Sequence, residues 1–139
     1  MSVPDNDKER IVVTMTRDQA YATMAATELL ARLHIGQFKE VTWKLINRLV
    51  DENGKFDAKR RDMADVYLEQ ACREIFGTTK NGSVNIKEKS IEHERCWAVY
   101  ATIRHALAWN DHPEGGVTVN FNEPLPYGEP MPKCEIKEE

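Results

Sequence analysis

Ile11-Val12-Val13-Thr14-Met15 opens the patterned part of the chain as a β-branched run of strand length. Thr16 then stands three residues before Gln19, the spacing of a capping box in which each side chain satisfies an amide of the other's turn. A helix is predicted over 17–34, rich in strong helix formers and ended by Gly36 in the left-handed position. Phe38, Val41, Thr42, Leu45, Ile46 and Leu49 recur at spacings of three and four, predicting a second helix that stops before the turn Asp51-Glu52-Asn53-Gly54. The third starts near Asp57 and closes at Gly77. Its predicted inner side carries Met63, Ala64, Tyr67, Leu68, Ala71 and Ile75, with Asp62, Asp65, Glu69 and Arg73 outside. Residues 78–90 are polar apart from Val84 and Ile86 and read as a flexible loop, and Ser90 caps a fourth helix over 91–110.

Val117-Thr118-Val119-Asn120-Phe121-Asn122 alternates with period two, the pattern of a strand apolar on one face. A lone strand leaves its backbone groups unpaired, so its predicted partner is the Ile11–Met15 run. The expected fold class is α+β: a mostly helical bundle of three to four helices with a small two-stranded antiparallel sheet pairing the N-terminal and C-terminal strands. Residues 1–10 read as a mobile leader, 11–123 as a single domain, and 124–139, with Pro124, Pro126, Pro130 and Pro132, as an extended tail. The open edges of so small a sheet make a homo-oligomer the expected remedy.

The 139 residues suit one such domain, and 19 Lys plus Arg against 23 Asp plus Glu give a net charge of −4. No global positive field is present to attract duplex nucleic acid or an anionic membrane. No apolar run nears membrane-spanning length, the first ten residues are unlike a signal peptide, and Cys72, Cys96 and Cys134 are an odd, widely spaced set. A cytoplasmic protein with reduced thiols is expected.

Polar residues inside apolar arcs are the candidates for chemistry. On the fourth helix Arg104 falls among Val99, Ile103, Cys96, Leu107, Tyr100 and Trp97. It is either an internal ion-pair partner or an anion-binding guanidinium in an aromatic pocket. On the first helix Glu28 and Arg32 form an i,i+4 pair on a stripe with Tyr21, Met24 and Ala25, and Glu28 is also a candidate partner for Arg104. His105 and Trp109 lie on the opposite edge of the fourth helix, near Ala98 and Thr102, as a second face or as partly buried rings. Gly115-Gly116 reads as a turn whose amides could also meet an anion. His34, His93, His105, His112 and the cysteines match no metal-ligand spacing, so no metal and no cofactor is expected. Cys96 and His105 lie on opposite sides of one helix and form no dyad, and the common hydrolase, nucleotide-hydrolase and dehydrogenase motifs are absent.

The stretches Ala31-Arg32-Leu33-His34-Ile35-Gly36-Gln37-Phe38, Ile103-Arg104-His105-Ala106-Leu107-Ala108-Trp109 and Pro113-Glu114-Gly115-Gly116-Val117-Thr118-Val119-Asn120-Phe121-Asn122-Glu123-Pro124 resemble a family of small accessory proteins of tailed phages and prophages, whose activity is unsettled. The similarity spans most of residues 11–134. Small phage proteins of this kind often counter host defence, and some sequester the cyclic nucleotide signals of host immunity without cleaving them. The resemblance therefore implies a counter-defence sponge in the host cytoplasm.

The leading expectation is a non-enzymatic protein holding a small phosphorylated nucleotide-like ligand at a cleft or subunit interface. Arg32 and Arg104 would meet phosphates, Trp97, Tyr100 or Trp109 would stack on a base, and Gln37 or Asn120 would bond its edge, with His105 beside them. The alternative is a protein–protein interaction module that inhibits or adapts a host protein, with Arg32, Arg104 and Glu28 internal. A third is a phosphodiesterase using His105 or His93.

Overall fold

A computed structural model describes residues 9–77 and 90–138 of the chain; residues 1–8, most of the expected leader, and 78–89, most of the expected loop, lie outside the described residues. Four α-helices follow one another: α1 (Arg17–His34), α2 (Glu40–Lys44), α3 (Ala58–Phe76) and α4 (Ile91–Asp111), with short 3-10 turns at Ile46–Arg48 and Val119–Phe121.

The helix ends follow local chemistry. Thr16 Oγ1 accepts from the Gln19 amide at 3.1 Å while Gln19 Oε1 accepts from the Thr16 amide at 2.9 Å, closing the capping box that starts α1. At its far end Gly36 takes φ 84°, and the Gln37 amide turns back to the Arg32 carbonyl at 2.9 Å. Asp57 caps α3 through the Arg60 amide, and Gly77 at φ 66° ends it. Ser90 Oγ accepts from the His93 amide at 3.1 Å and starts α4. The predicted second helix is shorter than its apolar spacing suggested. It ends at Lys44, and the chain continues through the 3-10 turn to a tight loop in which the Asp51 carboxylate gathers the amides of Asn53 and Lys55.

The expected two-stranded sheet does not form, and the α+β assignment is corrected to an all-helical one. Among the described residues there is no strand, only an isolated antiparallel bridge between Val50 and Phe56. The physical reason lies in who takes the backbone groups of the C-terminal run. The Phe121 amide bonds the Thr118 carbonyl and the Asn122 amide the Val119 carbonyl, winding a 3-10 turn. The Trp109 indole donates to the Phe121 carbonyl at 3.1 Å, and His105 Nδ1 lies 3.3 Å from the Asn120 carbonyl. Carbonyls that a ladder would need are thus held by side chains of α4. The other intended strand leaves Ile11, Val12 and Val13 exposed at 79%, 89% and 66%.

The chain gathers into two compact units. A terminal unit comprises Met1–Met24 and Ala98–Glu139, and a central unit comprises Ala25–Trp97. In the terminal unit Ala98, Ala101, Thr102 and Leu107 are the buried positions of α4, so the edge at Ala98 and Thr102 belongs to the packed side, and of the two readings of His105 and Trp109 that of partly buried rings fits better. In the central unit the fully buried Ala31 accepts a hydrogen bond through its carbonyl from His93 Nδ1 at 2.7 Å, and His93 stacks parallel to Trp97. That bond places the ring proton on Nδ1.

Helix α3 departs most from its predicted orientation. Two residues of its predicted outer side face α2 and the turn before it: the Asp65 carboxylate accepts from the Thr42 hydroxyl of α2 at 2.7 Å, and Glu69 pairs with Lys39 at 3.1 Å, while Asp62 stays exposed and Ala64 and Leu68 remain on the packed side as predicted. Met63, Tyr67 and Ile75 point outward instead, exposed at 52%, 62% and 68%, with Val66 and Ala71 also exposed.

Candidate functional site

The residues expected to bind a ligand fall into two groups, one in each unit. Arg32, Gln37 and Trp97 belong to the central unit and engage one another. The Arg32 guanidinium donates to Gln37 Oε1 at 2.7 Å and to Glu28 at 3.2 Å, and lies over the Trp97 ring at 5.7 Å. Lys44 completes the cluster by donating to Glu28 and lying 3.5 Å from Glu40, so two cations and two carboxylates alternate. Glu28, which the sequence offered to Arg104, is engaged by Lys44 and Arg32. Burial by itself would raise the Glu28 pKa, but the hydrogen bonds and charges of Lys44 and Arg32 outweigh it and hold the carboxyl below its ordinary value. Burial opposes the charged form of Lys44 as well, and the carboxylates of Glu28 and Glu40 override it, raising the ammonium's pKa. At least three of the five N–H groups of Arg32 are thus engaged within the cluster.

Tyr100, Arg104, His105, Trp109 and Asn120 belong to the terminal unit. Here Arg104 lines a cleft of about 380 Å³ with Tyr21, Met24, Leu107, Thr118, Asn120 and Phe121, and with the exposed Asp111 and His112. The guanidinium rests over the Tyr100 ring at 4.9 Å and donates to its hydroxyl at 3.5 Å, so the aromatic face supports the cation and orients it. Asp111 is paired with Arg17 at 3.0 Å, which offsets the negative charge of that carboxylate. His105 and Trp109 shape the wall: both hold the turn that carries Asn120 and Phe121, and Trp109 packs edge-on against Phe121 at 5.4 Å. Gly115 and Gly116 make that packing possible. A Cβ on Gly116 would lie 2.4 Å from the Phe121 ring, and one on Gly115 would lie 3.0 Å from Trp109. The glycine pair is thus a place where two aromatic rings meet the backbone, beyond its role as a turn.

Sequence reasoning missed Phe121 as a cleft wall, because strand periodicity assigned its ring to a sheet face. It also gave His93 only as a weak catalytic candidate, whereas its ring is a tie to the Ala31 carbonyl; its i,i+4 spacing to Trp97 was the available signal.

A second cleft, of about 520 Å³, opens in the central unit between α2 and α3. Lys39, Arg61 and Arg73 meet Glu40, Asp62, Asp65 and Glu69 around it, so it offers no excess of positive charge to an anion. Cys72 on its floor donates its thiol to the Gly36 carbonyl, and burial pushes this thiol, like those of Cys96 and Cys134, above its ordinary pKa. All three cysteines are free. Among the described residues no group of three or more His, Cys, Asp or Glu side chains is placed to hold a metal ion, and no helix is long and apolar enough to cross a membrane. Compared with known proteins, the chain matches no protein family, no curated protein and no solved structure.

Proposed function

We propose that the protein binds a small phosphorylated nucleotide-like ligand in the terminal unit's cleft and holds it without cleaving it. One observation carries this reading: a half-buried Arg104, backed by Tyr100, lines a cleft whose remaining walls are largely apolar and aromatic. Guanidinium groups recognise phosphate through paired charge-assisted bonds, and an aromatic wall suits a base. In this arrangement Arg104 meets the phosphate, Phe121 or Tyr21 faces the base, and the Asn120 amide bonds its edge. Tyr100, His105 and Trp109 act as positioning residues, while Arg32, Gln37 and Trp97 leave the ligand set. The cleft volume lies within the range of small-molecule sites, about 300–1,000 Å³. The resemblance to small phage accessory proteins supports a counter-defence setting, in which the ligand is a nucleotide signal of host immunity.

The test is a thermal-shift panel of cyclic and linear nucleotides with inorganic phosphate alongside, each ligand being recovered after heating and checked for cleavage. The expected result is a rise in Tm with intact ligand recovered, and a loss of affinity of roughly 10- to 100-fold in Arg104→Met. Cleavage products would make the protein an enzyme. No shift across the panel would overturn the reading and favour the alternative, a module that docks on a host protein.

A further inference from the structure

The outward side of α3 is apolar in its middle and oppositely charged at its ends. Turning about 100° per residue, the helix places Met63 and Ala71 about 40° to either side of Tyr67, and Arg60 and Glu74 about 20° to either side. All five are exposed. Along this line the order is basic, apolar, aromatic, apolar, acidic: Arg60, Met63, Tyr67, Ala71, Glu74. Val66 and Ile75, also exposed, flank it. The partners for the Thr42 and Lys39 side chains come from the opposite side of α3, Asp65 to Thr42 and Glu69 to Lys39, and Met63, Tyr67 and Ala71 stay exposed among the described residues.

We infer that this face is the seam of a symmetric homodimer, in which α3 packs antiparallel on α3 of a second copy. The occupant follows from the order of the side chains. Reversed end for end about Tyr67, the stripe presents Glu74 to Arg60, Ala71 to Met63 and Tyr67 to itself. Each charge then meets its opposite and the longest apolar side chain meets the smallest, twice over, as a two-fold interface requires. A parallel copy would set Arg60 on Arg60 and Glu74 on Glu74. Antiparallel packing also opposes the two helix dipoles favourably. Arg60 donates one guanidinium N–H to the Val50 carbonyl at 2.9 Å, which orients the group and leaves further donors for a carboxylate. This surface differs from the sheet edges that the sequence offered for oligomerisation, and it is independent of the ligand cleft.

With one helix per copy in the seam, the buried area falls below about 1,200 Å² in total, the class of weak and reversible interfaces. Dimerisation is therefore read by sedimentation of the full chain across a concentration series. The wild type is expected to pass from monomer to dimer with Kd on the order of micromolar. Tyr67→Asp, an exposed substitution whose fold is checked by circular dichroism, is expected to weaken the dimer at least 30-fold. Arg60→Glu and Glu74→Arg each place like charges in register and are expected to be monomeric alone, yet to form a one-to-one heterodimer when mixed. Tyr67→Cys is expected to cross-link to itself under mild oxidation where the wild type, with its three native thiols, does not. A wild type that stays monomeric throughout the series, a dimer indifferent to Tyr67→Asp, or charge variants that fail to pair when mixed would each overturn the seam.

Discussion

The central and terminal units are stabilised by different chemistry, and the difference shows in which groups are buried. In the central unit an alternating set of charges, Arg32 and Lys44 with Glu28 and Glu40, joins α1 to α2, and polar bonds from Thr42 and Lys39 join α2 to α3. In the terminal unit aromatic rings close on glycine: Trp109 and Phe121 pack edge to face against Gly115 and Gly116, and two α4 side chains hold the carbonyls of the turn. Charge networks tolerate changes in volume and respond to pH and salt, whereas ring-on-backbone packing does the reverse. The exposed stripe of α3 is a consequence of the first design, since a helix that spends its polar side inward has its apolar side left over.

The largest effect is expected where that packing is tightest. Gly116→Val places side-chain atoms inside the Phe121 ring's space and is expected to cost roughly 2–3 kcal/mol in urea denaturation, with loss of amide protection concentrated at residues 118–122. The central unit's counterpart is His93→Ala. Losing the bond to the Ala31 carbonyl and the stack on Trp97 is expected to cost about 2 kcal/mol, read by the same denaturation and by Trp97 fluorescence.

The smallest change sharpens the contrast best. Lys44→Met is expected to cost about 1 kcal/mol at neutral pH, since the ion pairs are partly exposed. It also alters the pH response. Glu28 has a folded pKa below its unfolded value near 4.3, so its contribution is present above that pH and is lost as pH falls through the folded value. Lys44 has a raised pKa, so its contribution is present below about 10.4 and is lost as pH rises through the folded value. Hydrogen exchange at residues 40–44 should therefore speed up on acidification from about pH 5 to below 4 relative to residues 119–122. The difference should shrink in Lys44→Met. Equal acid sensitivity of both segments would remove the contrast.

Local signals in the sequence specified the helix ends because each depends on residues within a turn of one another. The Thr16–Gln19 box, the Ser90 cap and the left-handed Gly36 all stand where their spacing put them, and the helix expected to start near Asp57 and close at Gly77 does so, with Asp57 as its cap. Of the candidate site, the closeness of Tyr100 to Arg104 was legible, because helix periodicity brings positions 100 and 104 together. The sheet failed for the opposite reason. Alternation in Val117–Asn122 states only that apolar and polar side chains take turns; whether its carbonyls meet another strand or the side chains of His105 and Trp109 depends on residues far along the chain.

Arg32 illustrates the same boundary. The Glu28–Arg32 pair was legible as an i,i+4 spacing, but the contacts of Arg32 with Glu40 and Trp97 required α2 and α4 to arrive from elsewhere. Sequence by itself determined where α1, α3 and α4 begin and where α1 and α3 end, since capping and glycine conformation are short-range, whereas the end of α2 at Lys44 was not legible in its apolar spacing. Only the tertiary structure decided which way α3 faces and which further partners engage Arg32 and Glu28. Those outcomes turn on Thr42 and Lys39 claiming Asp65 and Glu69, and on Lys44 claiming Glu28, pairings between elements that no local pattern encodes.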